Sequence, residues 1–364
     1  MSVSQQKTVV LGMSGGVDSS VAALLLQRKG YTVIGVFLKL YSETKNPLTG
    51  ECSYLEDLRM ARKIALLLGI ELHVLDYEKK YKKLVLRPMF DAYRRGMTPN
   101  PDILCNKLMK FPLLLDAADK FKADYIATGH YACVKKVKGN YWLMMGKDRS
   151  KDQSYFLAEL TGKALSHILF PVGNLTKQEV REIARKEGFP NWNKHGTVGI
   201  CFVGKQNMQN FLKQKIKKMK GYVFSPEGLL LGTHQGVAYY TIGQKAGEHF
   251  GIVLSKPRGT AQKRWYVAKK NLRKNELIVA PEGHPCLKTK CIYLKDLHFL
   301  NGLEKTPQQL KVRIRHLGQL QAGVLKKRER KHFFLFSRSS VLPASGQRAV
   351  FYQGKRMVAS AEIQ

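Results

Sequence analysis

The 364 residues carry 62 Lys+Arg against 27 Asp+Glu, a formal charge of +35 and a pI near 10.0, at an ordinary hydrophobic fraction of 44%. A single core stops growing at about 250–300 residues, so two or three domains are implied, and no apolar run approaches the roughly 20 residues of a membrane helix. The charge calls for a polyanionic partner, RNA or DNA, because neutralised phosphates release counterions; with no signal-like stretch in MSVSQQK, the protein is expected in the cytoplasm, away from membranes.

The run TVVLGM reads as a buried strand and SVAALLLQRKG as a helix stopped at Gly30. TVIGVFLKL is a second strand, Ser53 to Glu56 a capping box opening a helix that ends at Gly69, and IELHVLD a third strand. A basic helix near 78–95 and the helix NKLMKFPLLLDAADKF precede the strand DYIATG. This alternation predicts an α/β fold with a doubly wound parallel sheet, its ligands at the carboxyl ends of the strands. YACVKKV-KGN-YWLMMG reads as a hairpin, and Thr176 to Gly188 as a capped helix that extends a first domain over 1–210. Short β runs punctuated by glycine then predict a small, mostly-β central domain over 211–280, and the helix-free strands of 281–364 an antiparallel β-barrel.

Between the first strand and the first helix stands Ser14-Gly15-Gly16-Val17-Asp18-Ser19-Ser20. Such a turn aims unpaired N–H groups and the positive helix end at one point, and two glycines let an oligophosphate come close. Asp18 would repel phosphate unless a divalent cation lay between them, which implies Mg²⁺. There is no Gly-Lys-Ser/Thr ending, so this is not a Walker loop. Two glycines before a helix also suit a plain capped turn, but SGGVDSS in full resembles the signature of the PP-loop ATP pyrophosphatases, which cleave ATP between the α and β phosphates and leave an adenylated substrate.

The six cysteines, 52, 105, 133, 201, 286 and 291, form no C-x₂-C pair, so neither a zinc site nor a disulfide framework is indicated. Cys105, in TPNPDILCNKLMKF, is expected just before a helix whose N-terminus would lower its pKa; Cys201 lies in the apolar GTVGICFVG. The other four read as small buried hydrophobes. These segments, with ATGHYA, KDQSYFL, LFPVGNLTKQEVREIA, YYTIGQKAG and PASGQRAVFY, resemble the tRNA-specific 2-thiouridylase family over nearly the whole chain.

The resemblance implies that ATP lies on Gly12, Met13, Ser14, Gly15, Gly16, Val17, Asp18 and Ser19, with Leu38 and Gly129 at the adenosine, and that the wobble uridine of tRNA is adenylated on its 2-oxygen. Cys201 would carry a persulfide received from a donor protein, a cysteine desulfurase or relay protein, with Cys105 as its partner thiol. The persulfide would attack directly, or Cys105 would free sulfide by forming a disulfide with Cys201. The target base would lie near Asn100, Pro101 and Asp102, with His130, Lys151, Asp152 and Gln153 close by and Arg315, His316 and Gln347 as barrel contacts. His130 equally suits a satisfied histidine at a sheet end. The chain departs from the family where Gly196-Thr197 replaces Asp-Ser before Cys201. Two rival readings are a PP-loop ligase adding ammonia, for which no glutaminase segment is seen, and a non-catalytic RNA-binding protein.

Overall fold

The computed structural model describes residues 6–43, 52–194, 208–255, 263–302 and 306–364. Among them, β1 (Thr8–Gly12), β2 (Thr32–Lys39), β3 (Glu71–Asp76), β4 (Tyr125–Thr128) and β7 (Ile168–Leu169) form a parallel sheet in the order β3-β2-β1-β4-β7. β1 is central because both its faces are apolar. Val9, Leu11 and Met13 pack with α1 (Val17–Arg28), α2 (Ser53–Leu67) and α8 (Lys177–Lys186) on one face. Val10 faces the second layer, to which α3 (Glu78–Tyr81), α4 (Arg87–Arg94), α5 (Pro101–Cys105) and α6 (Phe111–Lys120) contribute. Helices on both faces make the sheet doubly wound, as the sequence predicts.

Helix boundaries follow local chemistry. α1 closes on Gly30 at φ +80°, and α8 starts with a complete capping box in which Glu179 N–H donates to Thr176 Oγ1 at 3.2 Å and Thr176 N–H to Glu179 Oε2 at 2.6 Å. α2 begins at Ser53 itself, so Cys52 rather than Ser53 takes the cap position, with no side-chain cap bond. The helix expected from Asn106 starts five residues earlier, because Pro101 suits the first helical position and Asn100 Oδ1 accepts the Ile103 N–H at 3.1 Å. π-helical turns join α3 to α4 (Lys82–Leu86) and α5 to α6 (Asn106–Lys110).

The hairpin β5 (Ala132–Val137) and β6 (Asn140–Met145) turns through Lys138 and Gly139, both at positive φ. It leaves the parallel sheet and joins that of the C-terminal strands: β6 pairs with β19 (Arg356–Ile363) at Met144↔Arg356, and the Arg356 guanidinium lies 4.3 Å over the Trp142 ring. Between these parts, α7 (Gly162–Leu165) and α9 (Met208–Lys213) are short.

The central strands β8 (Gly221–Phe224), β9 (Leu230–His234), β10 (Lys245–Ala246), β11 (Ile252–Leu254), β12 (Trp265–Asn271) and β13 (Glu276–Pro281) form one sheet, with only β8 and β13 parallel neighbours among the described pairings. β14 (Lys288–Phe299), β15 (Gln308–Arg313), β16 (Gln321–Arg328), β17 (Lys331–Val341) and β18 (Arg348–Gln353) complete a barrel with β19, closed by β14 pairing with both β17 and β19. Among the described residues no helix is long and apolar enough to cross a membrane.

Candidate nucleotide and thiol site

The glycine loop lies where the strand order reverses. From β1 the chain passes to β2 on one side, and β4 occupies the other, so Met13 to Gly16 and Gly129 share the carboxyl edge at the crossover point. Gly15 has φ +72°, and a Cβ there would stand 2.1 Å from the Asp57 carbonyl oxygen. A Cβ on Gly129 would stand 2.7 Å from Asp18 C and Ser19 N, so β4 ends directly against the first turn of α1. Gly16 is the N-cap of α1, in extended backbone, and no side chain caps the helix among the described residues.

Ser19 and Ser20 hydroxyls both donate to the Gly16 carbonyl (2.9 and 3.1 Å), and the Ser14 N–H donates to Ser19 Oγ at 3.2 Å. These hydroxyls hold the turn's shape, so the donors facing outward are chiefly backbone. Met13, Val17 and Leu38 point their side chains into the core, and only their backbone can meet a nucleotide.

Four side chains that sequence reading missed support the loop from distant segments. Lys177 Nζ and the Tyr131 hydroxyl both donate to Asp18 Oδ1 at 2.6 Å. Burial, reinforced by Asp18, pushes the Tyr131 hydroxyl well above its ordinary pKa, so it stays a donor. Asn191 Nδ2 donates to Gly15 O (3.2 Å) and Ser20 Oγ (3.0 Å), while Lys194 Nζ pairs with Asp57 at 2.6 Å and reaches Gly15 O at 3.4 Å. Lys177 stands in LTKQEV, a segment singled out above for its cap; only the fold reveals that its ammonium meets the loop carboxylate.

Cys105 is 1% exposed and closes the first turn of the helical run 101–120. It is therefore not placed before a helix start, and the expected dipole argument for its thiol loses its basis, since that effect fades within the first turn. Asn100 serves as the cap, Pro101 is buried, and Asp102 lies in the first turn. Cys201, Gly196 and Thr197 lie outside the described residues.

His130 is half-buried at the end of β4, its Nδ1 2.7 Å from Thr128 Oγ1 and its ring stacked on Phe111 with centroids 5.8 Å apart. Burial, with a smaller push from Lys110, holds its imidazole well below the usual range, so it is neutral near pH 7. Lys151 is exposed. Gln153 Oε1 accepts the Tyr131 N–H at 3.0 Å, tying it to the support of Asp18.

Asp152 is a correction. Its side chain is 0% exposed, takes Arg313 Nη1 on Oδ2 at 2.7 Å, and accepts Gly146 N–H and Ser154 N–H on Oδ1. It is an internal clamp between the first segment and the barrel, closed to RNA.

The three barrel residues divide. Exposed Arg315 lines a cavity of ≈ 680 Å³ shared by the central and C-terminal sheets, as does Gln347, whose Nε2 donates to Thr98 O at 2.9 Å. His316 turns away, tilted against the Phe156 ring with centroids 4.1 Å apart. Burial, then Arg313, lowers its pKa from 6.5 to about 4. The unfolded chain therefore takes up this proton first, and the stability present above pH 6.5 is lost as pH falls toward 4. His316→Phe keeps the ring contact and removes the titration, so its melting temperature is expected to decline less steeply than wild type between pH 6.5 and 4 in scanning fluorimetry; an unchanged slope contradicts this assignment.

The fold and loop define an α/β nucleotide-binding domain followed by a central β-sheet module and a C-terminal β-barrel. Family profiles match as "tRNA methyl transferase HUP domain" over 7–205, "tRNA methyl transferase PRC-barrel domain" over 209–281 and "Aminomethyltransferase beta-barrel domain" over 289–363. The chain is 42% identical to tRNA-specific 2-thiouridylase MnmA 1 of Geobacillus kaustophilus, with 99% of this chain and 96% of that protein covered. It is 38% identical to tRNA-specific 2-thiouridylase MnmA of Coxiella burnetii (strain CbuK_Q154), with the same coverage of 99% and 96%. A solved 4-thiouridine synthetase–RNA complex with bound ATP overlaps 57% of this chain and 50% of its own, at 19% identity and TM-score 0.36. The chain belongs to the tRNA-specific 2-thiouridylase family.

Proposed function

We propose that this protein uses ATP to adenylate the 2-oxygen of a uridine in tRNA and replaces that oxygen by sulfur, giving 2-thiouridine, AMP and pyrophosphate. The observation carrying this reading is the uncapped start of α1 at the crossover point, in a chain 42% identical to a 2-thiouridylase over 99% of its length. The N–H groups of the loop cradle the phosphates. Lys177, already at the loop carboxylate, meets the charge of the leaving pyrophosphate. Both donors to Asp18 converge on Oδ1, so a Mg²⁺ would be held through Oδ2; bound there, it would neutralise the phosphates.

The activated C2 is then attacked by sulfur carried as a persulfide on Cys201, with Cys105 closing a disulfide on Cys201 either to release the product or to free sulfide. The persulfide comes from a donor protein, and a tRNA substrate puts the reaction in the cytoplasm. Residues 1–210 do the chemistry, 211–280 form the central module, and 281–364 contact tRNA through exposed Arg315 on the basic barrel.

The family profiles' wording favours a second reading, methyl transfer, which would use neither the phosphate loop nor a thiol pair. One assay separates them. The wild-type protein is incubated with ATP, a sulfide source, a sulfonium methyl donor (S-adenosylmethionine) and unmodified tRNA, and the digested nucleosides are analysed by mass spectrometry. 2-Thiouridine with AMP is expected. A methylated uridine, or AMP release without any thiolated base, rejects the proposal.

A further inference from the structure

A second thiol, remote in sequence from the loop and from Cys105, is set against a base. After β13, Glu282 and Gly283 deliver His284 to the 3₁₀ turn Pro285–Leu287. This segment is tied at several points: Glu282 N–H donates to Arg264 O (2.7 Å), His284 N–H to Pro281 O (3.0 Å) and Leu342 N–H to Leu287 O (2.8 Å). His284 Nδ1 lies 2.9 Å from Cys286 Sγ and accepts the Cys286 N–H at 3.3 Å, which makes Nδ1 the acceptor and leaves the ring proton on Nε2. Nε2 faces Glu227 Oε1, in the turn between β8 and β9, at 3.5 Å. Thiol, imidazole and carboxylate thus stand in the order of nucleophile, base and orienter. Cys133, by contrast, meets only an amide oxygen, Asn174 Oδ1 at 3.3 Å, among the described residues.

His284 also lines the ≈ 680 Å³ cavity, as do Arg315 and Gln347. Thr241 and Gln347 of that cavity both bond Thr98, at 3.2 Å through the threonine hydroxyls and at 2.9 Å through the Thr98 carbonyl. Thr98 stands two residues before Asn100, the cap of the Cys105 helix, so residues lining the cavity bond the segment that leads into that helix. Leu229 and Leu230, 57% and 55% exposed beside Glu227, give a protein donor an apolar foothold there.

The backbone narrows the electrophile. An acyl group would need N–H donors for its oxyanion, yet the Cys286 N–H is held by His284 Nδ1 and the Leu287 N–H by His284 O. Displacement at sulfur needs no such hole, because its charge leaves on a thiolate. We propose that Cys286 is an acceptor of sulfane sulfur, taking the outer sulfur of an incoming persulfide. His284 removes the thiol proton, Cys286 Sγ attacks the outer sulfur of R–S–SH, the donor S–S bond breaks, and R–S⁻ recovers the proton from His284. The products are Cys286–S–SH and R–SH, with no oxidant or reductant consumed. Burial, then Glu227, pushes the Cys286 thiol up, so it is protonated near pH 7 and depends on His284 for activation. The inference rests on the sulfur-transfer function proposed above.

The test uses the full chain with Cys105→Ser and Cys201→Ser, exposed either to glutathione persulfide or to a cysteine desulfurase carrying its own persulfide, then alkylated and digested with trypsin. Peptide 275–288, whose single cysteine is Cys286, is expected to gain one sulfur in at least one arm, and the responding arm identifies a small-molecule or protein source. Its labelling should run at least about tenfold faster than that of Cys133 or Cys291 in the same sample, and His284→Gln should slow it about a hundredfold. No sulfur on this peptide in either arm, no preference over Cys133 and Cys291, or an unchanged rate in a folded His284→Gln protein overturns the proposal. Wild-type protein is assayed for 2-thiouridine in parallel. Thiolation with Cys286 unlabelled defeats this inference alone, whereas a labelled Cys286 without 2-thiouridine defeats the function.

Discussion

Replacing Gly16 by alanine is expected to leave the fold intact and to lower ATP-dependent AMP formation by about 100- to 1000-fold. The backbone at Gly16, φ −87° and ψ 155°, is open to any residue, and the nearest atom to an added Cβ, outside its chain neighbours, is Ser14 Oγ at 3.4 Å, an ordinary contact. The loss of a good N-cap is worth about 1 kcal/mol or less. The methyl group is expected to crowd the approach to the first N–H groups of α1, where phosphate would sit. Gly15→Ala is the contrast, since its φ of +72° and the 2.1 Å separation from Asp57 O force the loop or α2 to move. It should lose at least about 2 kcal/mol of stability as well as activity. Urea unfolding beside an AMP assay distinguishes the two. Normal AMP formation by a folded Gly16→Ala protein would remove the phosphates from this turn.

How much of this was legible in the sequence depends on how local the cause is. The glycine loop could be read because its strand, its turn and its helix are consecutive, and each carries its own period or cap. Gly30 and the Thr176 box were readable for the same reason. The start of the Cys105 helix was within reach too, as Asn100 before Pro101 is a cap signal that a start at Asn106 passes over. Asp18 drew attention as a lone carboxylate because its partners, Tyr131 and Lys177, stand 113 and 159 residues away. The hairpin's membership of the barrel sheet rests on Met144 and Arg356, a pairing that local alternation cannot encode. Lys151-Asp152-Gln153 looks like one polar turn. The fold exposes its first member, buries its second and sets the side chain of its third to accept a backbone N–H.

That middle residue gives the other large effect. Asp152→Asn is expected to destabilise the protein by about 3–5 kcal/mol, because removing one partner of a buried ion pair strands the other charge. The Arg313 side chain is 6% exposed, its Nη1 lies 2.7 Å from Asp152 Oδ2, and its guanidinium rests 5.4 Å from the centre of the Tyr352 ring. Asparagine fills the same volume but brings no charge to balance the guanidinium. The Ser154 hydroxyl, now on Oδ2 at 3.0 Å and 3.1 Å from the Tyr352 hydroxyl, would have to reorganise with it. Because the pair joins residues 161 apart, its loss loosens the docking of the first segment on the barrel. A tRNA contact at this position makes the opposite forecast: stability kept and affinity lost. Urea midpoints, together with filter binding of tRNA at fixed salt and a temperature where both proteins are folded, decide between them. An unchanged midpoint with weakened binding would return Asp152 to the RNA surface.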